Sequence, residues 1–248
     1  MSIGHVVILG LGPSLEAYVN LVKRLGGRRK FADEVWAINA LGDIIQCDRV
    51  FHMDDVAVQE VRAAAAPKSN IAAMLDWLRT HPGPVYTSVV RDGYPGSVAF
   101  PLEEVINSLG YAYFNNTAAY AAALAIHLGA TKISFFGCDY TYPNAHDAEK
   151  GRGCLEFWLG YAAARGIKLG VAQESSLMDA IEPAERRTYG YDAVTVDIQQ
   201  QPDGLARVVF TPRDLPTAEE IEARYDHSAH PNALVGAPKP AVNTEAAS

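Results

Sequence analysis

Short apolar runs and longer amphipathic stretches follow one another along the chain, and their order predicts the fold. His5-Val6-Val7-Ile8-Leu9 is a short apolar run ended by glycine, the pattern of a strand buried on both faces. A helix is expected from a Ser14 cap to about Leu25, with Pro13 just before it and Gly26-Gly27 just after it. Glu34 to Asn39 and Arg49 to Met53 read as the second and third strands. Two helical stretches follow, from Asp55 to Ala66 and from Ser69 to Thr80, the latter with Ile71, Leu75 and Leu78 on one stripe. Pro84 to Ser88 reads as a fourth strand, and Arg91 to Phe100 as an irregular loop punctuated by Gly93, Pro95 and Gly96. Helices are then expected from Pro101 to Leu109 and from Thr117 to Gly129, a strand from Lys132 to Phe136, a helix from about Arg152 to Arg165, and a strand from Ile167 to Val171.

Strands and helices that alternate with short links predict an α/β fold: a Rossmann-like, doubly wound, mainly parallel sheet with helices on both faces. After residue 180 the rhythm changes. Val194, Val196 and Ile198 alternate with polar residues, Pro202-Asp203-Gly204 makes a turn, and Ala206 to Phe210 returns, which predicts a C-terminal β-hairpin. Three segments result: a nucleotide-binding domain over 1–180, a hairpin appendage over 181–211, and a short helix with a disordered tail over 212–248.

A formal net charge of -8 argues against a broad grip on DNA or RNA. Lys23, Arg24, Arg28, Arg29 and Lys30 cluster either as a local basic patch or as the C-terminal end of the first helix, where cations oppose the helix dipole. Three widely spaced cysteines without a C-x-x-C pair predict reduced thiols and a cytoplasmic protein. The N-terminus opens into a strand pattern rather than a secretory signal. No apolar run approaches the roughly 18 residues of a membrane span, so no membrane partner is expected.

Candidate chemistry gathers at the expected strand ends. Gly10-Leu11-Gly12-Pro13-Ser14 follows a buried strand and opens a helix, which suits close approach of a phosphate to backbone N–H groups, or is simply a strand-to-helix turn. Neither the dinucleotide fingerprint nor a Walker A lysine is present. Asn39 ends the second strand, where an amide reads a base or ribose, or serves as a turn residue. His52-Met53-Asp54-Asp55 ends the third; Asp54 and Asp55 are candidates for holding Mg²⁺ between phosphates, with capping of the next helix as the alternative. Asn115-Asn116-Thr117 opens the alanine-rich helix, and Gly137-Cys138-Asp139-Tyr140 ends the strand it feeds, which places Asp139 to accept from a ribose hydroxyl or coordinate a metal. In the loop that follows, His146 is the candidate general base, with Lys150 and Arg152 to neutralise a departing phosphate.

In this order, the blocks Gly10 to Leu15, Asn39, Asn116 to Tyr120 and Ile133 to Tyr140 resemble a nucleotide-using superfamily. It comprises bacterial CMP-dependent sialyltransferases, motility-associated flagellin glycosyltransferases and archaeal hydroxymethyl-dihydropterin pyrophosphokinases. Over most of its length the chain also resembles a bacteriophage family labelled "norphogenetic protein", including the blocks Phe51 to Asp55 and Tyr142 to Gly151. The sialyltransferase resemblance implies a CMP-type nucleotide or nucleotide sugar held by Gly10, Gly12 and Asn39, with Asn116 and Thr117 on nucleotide or phosphate and His146 as base. The chain carries Leu11 where those enzymes have asparagine. The pyrophosphokinase resemblance implies Mg²⁺ on Asp54, Asp55 and Asp139. A non-catalytic nucleotide binder acting in a host cytoplasm is a further reading, and a homo-oligomer is compatible with each.

Overall fold

The computed structural model describes residues 3–141, 144–182, 188–191 and 193–223, and two compact units divide the chain near residue 183. Residues 224–248, which hold the expected tail, lie outside the described residues.

The first unit is a seven-stranded, all-parallel sheet in the order β5-β4-β3-β2-β1-β6-β7. Its strands are β1 (Gly4–Leu9), β2 (Glu34–Ile38), β3 (Arg49–Phe51), β4 (Val85–Thr87), β5 (Ser97–Ala99), β6 (Ala130–Phe136) and β7 (Lys168–Val171). Its helices are α1 (Leu15–Leu25), α2 (Leu41–Ile44), α3 (Val56–Ala65), α4 (Asn70–Leu78), α5 (Leu102–Leu109), α6 (Thr117–His127) and α7 (Ala145–Ala164). The chain builds outward from β1 to β5, then crosses back through α6 to lay β6 on the other side of β1. That reversal is the switch point, and in open parallel sheets the ligand crevice lies outside the strands' carboxyl ends there.

Successive residues of β1 serve opposite cores, as a strand buried on both faces must. Val6 and Ile8 pack with Trp36, Phe51 and the helices α5 to α7, while Val7 and Leu9 pack with Tyr18, Val35 and Leu41. Eight of the eleven residues of α6 are buried, most of them alanine, so the helix lies close against the sheet. Its Phe114 flank stacks on Tyr120 (4.4 Å) and Trp158 (5.2 Å), which packs the α6 entry against α7.

Three local expectations are corrected. The stretch read as an irregular loop over Arg91 to Phe100 contains β5, a three-residue edge strand; Val85↔Ser97 pairing creates it, and three residues are too few to show an alternation. The last long helix begins at Ala145 rather than near Arg152, because Asn144 caps it (His146 N–H to Asn144 Oδ1, 3.2 Å) and carries the helix through Gly151 and Gly153. His146 and Lys150 therefore stand on helix α7, not on a loop. Third, Ser14 does not cap α1: its side chain makes no capping bond and is used elsewhere. Of the basic cluster, Lys23 and Arg24 do occupy the last turn of α1, while Arg28 and Arg29 pair with Asp48.

The second unit holds the hairpin, β8 (Val194–Gln200) antiparallel to β9 (Ala206–Pro212), followed by α8 (Ala218–Ala223). Val194, Val196 and Ile198 stand opposite Pro212, Phe210 and Val208, which makes one face apolar. Among the described residues no helix is long and apolar enough to cross a membrane.

Candidate functional site

The carboxyl ends of β1 and β6 are clamped to each other. Gly10 N–H donates to Phe136 O (2.8 Å) and Gly12 N–H to Gly137 O (2.8 Å). A side chain at Gly10 would strike the Gly137 carbonyl, and a Cβ at Gly12 would lie 2.6 Å from Asp139 Oδ2. Both glycines of the motif are thus required by strand-to-strand contact within the protein. Asp139 is buried and spends both carboxylate oxygens on Ser14: Oδ2 accepts from its N–H (2.7 Å) and Oδ1 from its hydroxyl (2.5 Å). The same hydroxyl accepts from Gly137 N–H (2.7 Å). This network is where the expected Ser14 cap went: a buried carboxylate outcompetes the local helix amides. The amides of Leu15, Glu16 and Ala17 bond Gly12 O, Pro13 O and Ser14 O, so the entry to α1 is occupied by internal bonds rather than opened toward a phosphate. Leu11 and Pro13 form its exposed tip. Cys138, beside the clamp, is a buried thiol whose pKa burial pushes up to about 12, with Asp139 adding to the shift, so it is inert.

At the next two strand ends, Asn39 adopts a left-handed backbone (φ 52) with its N–H on Phe51 O (2.8 Å), and His52 N–H bonds Tyr86 O (2.8 Å). His52 is fully buried, its Nδ1 lies 3.2 Å from Asn39 Oδ1, and its Nε2 has no partner. Burial lowers its pKa, with the Asp54 charge acting the other way. Asp54 and Asp55 are exposed, and Asp55 Oδ1 caps α3 through Ala57 N–H (2.8 Å).

The third component is the entry to α6. Asn116 Oδ1 caps it through Ala119 N–H (3.0 Å) and also accepts from Tyr140 Oη (3.1 Å), while Asn116 Nδ2 donates to Gly151 O (2.9 Å) of α7. Asn115 Nδ2 reaches Lys150 O (3.1 Å). The Tyr140 ring sits where a Cβ at Gly151 would be, 2.6 Å from Cε1, so Gly151 permits this junction. Thr117 is half-buried at the first turn of α6, whose dipole makes it the electropositive helix end of the crevice.

An open cleft of about 570 Å³ runs beside that junction, lined by Tyr140, Thr141, Glu149, Arg152, Glu156 and Ser176. Arg152 is already paired there, with Glu156 (2.9 Å) and Asp179 (2.8 Å), and Glu156 also accepts from Met178 N–H (2.7 Å). His146 and Lys150 are exposed on the first turns of α7.

The Mg²⁺ set does not fit the side chains present. Asp139 has both carboxylate oxygens committed inside the protein, Asp55 spends one oxygen on the α3 cap, and among the described residues no group of three His, Cys, Asp or Glu side chains converges. Sequence reasoning brought Asn39, Asn116, Thr117 and Tyr140 to one end of the sheet. Glu156 stands one turn after Arg152 on α7, a spacing legible in the sequence, whereas Ser176 on the cleft and Asp179 on Arg152 arrive through tertiary contacts alone and carry no sequence signal. In the sequence His52 reads merely as a neighbour of the acids.

No family model and no curated protein matches the chain. Among solved structures it is similar to the sialyltransferase CstII from Campylobacter jejuni in complex with a substrate analogue, cytidine-5'-monophosphate. That likeness is at 17% identity and a TM-score of 0.43, over 90% of this chain and 98% of that one. The same enzyme in complex with CMP-3FNeuAc gives 18% identity and a TM-score of 0.44, over 89% and 98%.

Proposed function

We propose that the protein binds a nucleotide-activated donor, a CMP-type nucleotide sugar, at the carboxyl ends of β1 to β3 and the entry to α6, and transfers its glycosyl group to an acceptor hydroxyl. The observation that carries this reading is the junction of Asn116, Tyr140 and Gly151, which brings the electropositive end of α6 and the first turns of α7 to the switch point. In this reading Asn39 contacts the base or ribose, and the amides of Thr117 and Ala118 take the phosphate. His146 accepts the acceptor hydroxyl's proton, and Lys150 lies near the departing phosphate. Gly10, Gly12, Ser14 and Asp139 hold the two strand ends together. Arg152, already doubly paired, shapes the cleft rather than meeting the phosphate.

A thermal-shift series with CMP, UDP, ATP and NAD⁺, each with and without Mg²⁺, tests the binding half. A ligand at about 100 times its Kd adds about 2.7 kcal/mol of stability. The expected result is a metal-independent response to CMP, and silence across the series overturns the reading. For the chemistry, His146→Ala abolishes turnover while nucleotide affinity stays within about threefold (under about 1 kcal/mol). Equal loss of both removes His146 from that role.

A further inference from the structure

A buried polar atom without a partner calls for a physical reason, and the imidazole of His52 has one such atom in the wall of the crevice. Its surroundings fix its chemistry. Nδ1 faces the side-chain oxygen of Asn39 at 3.2 Å, and Nε2 faces no acceptor or donor. If the proton sat on Nε2, a donor would be buried with nothing to receive it, and Nδ1 would turn a lone pair toward another lone pair. With the proton on Nδ1, the contact becomes an N–H···O bond, and the orphan is a bare acceptor, the less costly of the two. Burial further disfavours the doubly protonated ring.

Asn39 is held as tightly from its other side. Its backbone is in the left-handed region, which asparagine tolerates better than most residues, and its N–H is bonded to Phe51 O. The backbone therefore fixes the direction of Cβ. What remains free in a surface asparagine is the amide flip, which exchanges an acceptor for a pair of donors. His52 removes that freedom. Among the described residues the Asn39 Nδ2 group has no protein partner, and the residue is half-buried at the carboxyl end of β2.

We propose that His52 is a positioning residue: its Nδ1–H holds the Asn39 oxygen, so that Asn39 offers the crevice an NH₂ group only and selects a ligand edge made of acceptors. This rests on the nucleotide reading above and adds a determinant of base selectivity to it. At the N3/O2 edge both atoms of cytosine accept, whereas N3 of uracil carries a proton, so a donor-only amide facing that edge discriminates between CMP and UMP. An amide free to flip meets either edge.

Two measurements on the full chain test this. The first needs no ligand: ¹⁵N chemical shifts of the His52 ring at pH 8 are expected to show a protonated Nδ1 and a bare Nε2, and the opposite tautomer overturns the proposal. The second compares CMP and UMP affinities by calorimetry in wild type, His52→Leu and His52→Asn. Asparagine places an amide N–H near the position of Nδ1–H, so it keeps the donor that leucine lacks. The CMP:UMP affinity ratio is expected to fall about tenfold, about 1.4 kcal/mol, in His52→Leu and to recover in His52→Asn. Equal weakening of both nucleotides in either variant, or no recovery with asparagine, assigns His52 a purely structural role and overturns the proposal while nucleotide binding stands. Absence of any nucleotide response in wild type with the expected tautomer instead fails the nucleotide reading, and with it the selectivity.

Discussion

The Ser14–Asp139 pair separates two accounts of the most conspicuous acid in the sequence, and a double-mutant cycle reads the difference. Both residues are about 2% exposed, so their bonds are made away from water. Asp139 accepts from Ser14 N–H at 2.7 Å and from Ser14 Oγ at 2.5 Å, and hydrogen bonds to a charged group are worth about 1.5–3 kcal/mol each. Ser14→Ala removes the hydroxyl bond and also strips Gly137 N–H of its acceptor at 2.7 Å. With the cost of an orphaned buried donor included, a loss of about 3 kcal/mol is expected. Asp139→Asn keeps the shape but offers one acceptor where two donors arrive, so one Ser14 donor must face an NH₂ group; the loss is again about 3 kcal/mol. The Oγ–Oδ1 bond is missing from both single variants, so the double variant should be less destabilised than their sum by about 2 kcal/mol.

Urea titration followed by tryptophan fluorescence suits this measurement, because Trp36 and Trp158 are both fully buried in the unit that contains the pair. For a chain of this length each single variant should lower Tm by roughly 6–12 °C, at about 2–4 °C per kcal/mol. A coupling below about 0.5 kcal/mol would refute the clamp. So would an Asp139→Asn protein of wild-type stability that had lost nucleotide affinity, since that result would put the carboxylate on the ligand.

Three further outcomes follow from the same geometry. Gly12→Ala places a Cβ 2.6 Å from Asp139 Oδ2 and 2.8 Å from Gly137 O, so it should destabilise by about 1–3 kcal/mol in a urea titration even without ligand; an unchanged midpoint would leave ligand approach as the reason for glycine there. Gln59 buries an amide oxygen with no partner, so Gln59→Met, similar in shape, should leave stability unchanged or raise it by up to about 1 kcal/mol, and a loss above about 1 kcal/mol would reveal a hidden partner. Burial lowers the pKa of His5 and of His52 below the ordinary 6.5, so the unfolded chain binds protons first as pH falls. Stability is then full above about pH 6.5 and declines below it, through the lowered folded values. Urea midpoints at pH 7.5 and 5.5 should differ, and His52→Asn should reduce the difference.

The parts of this molecule legible in the sequence are those that local rules decide. Val6 to Leu9 is fully buried and had to be a strand between two helical layers, and the alanines of α6 announce a helix lying close to the sheet. Asn116 was readable as a cap because its role is local, three residues from the amide it serves. Ser14 carries the same local signal, but the acceptor that wins its side chain stands 125 positions away. The start of α7 was hidden by Gly151 and Gly153, which weaken a helix in isolation; Gly151 is there because the Tyr140 ring needs its space. Strand β5 has no pattern of its own and exists through pairing with β4.

The clamp also bears on the proposed place of the phosphate. A glycine turn that opens a helix draws attention as a phosphate site, yet here Gly10, Gly12 and Ser14 bond the end of β6, and the first amides of α1 bond their own turn. The entry to α6 differs in kind. Its cap, Asn116, satisfies Ala119 N–H and is itself bonded to Tyr140 and Gly151, and the first two amides of the helix lie ahead of the cap's reach. Under the proposed function, affinity for an anionic group is expected to depend on Asn116 and Thr117, and turnover on His146. Substitutions at the glycine turn should act on stability before they act on binding. The three classes of variant are thus expected to separate: Gly12 and Ser14 in unfolding, Asn39, Asn116 and Thr117 in nucleotide affinity, and His146 in turnover.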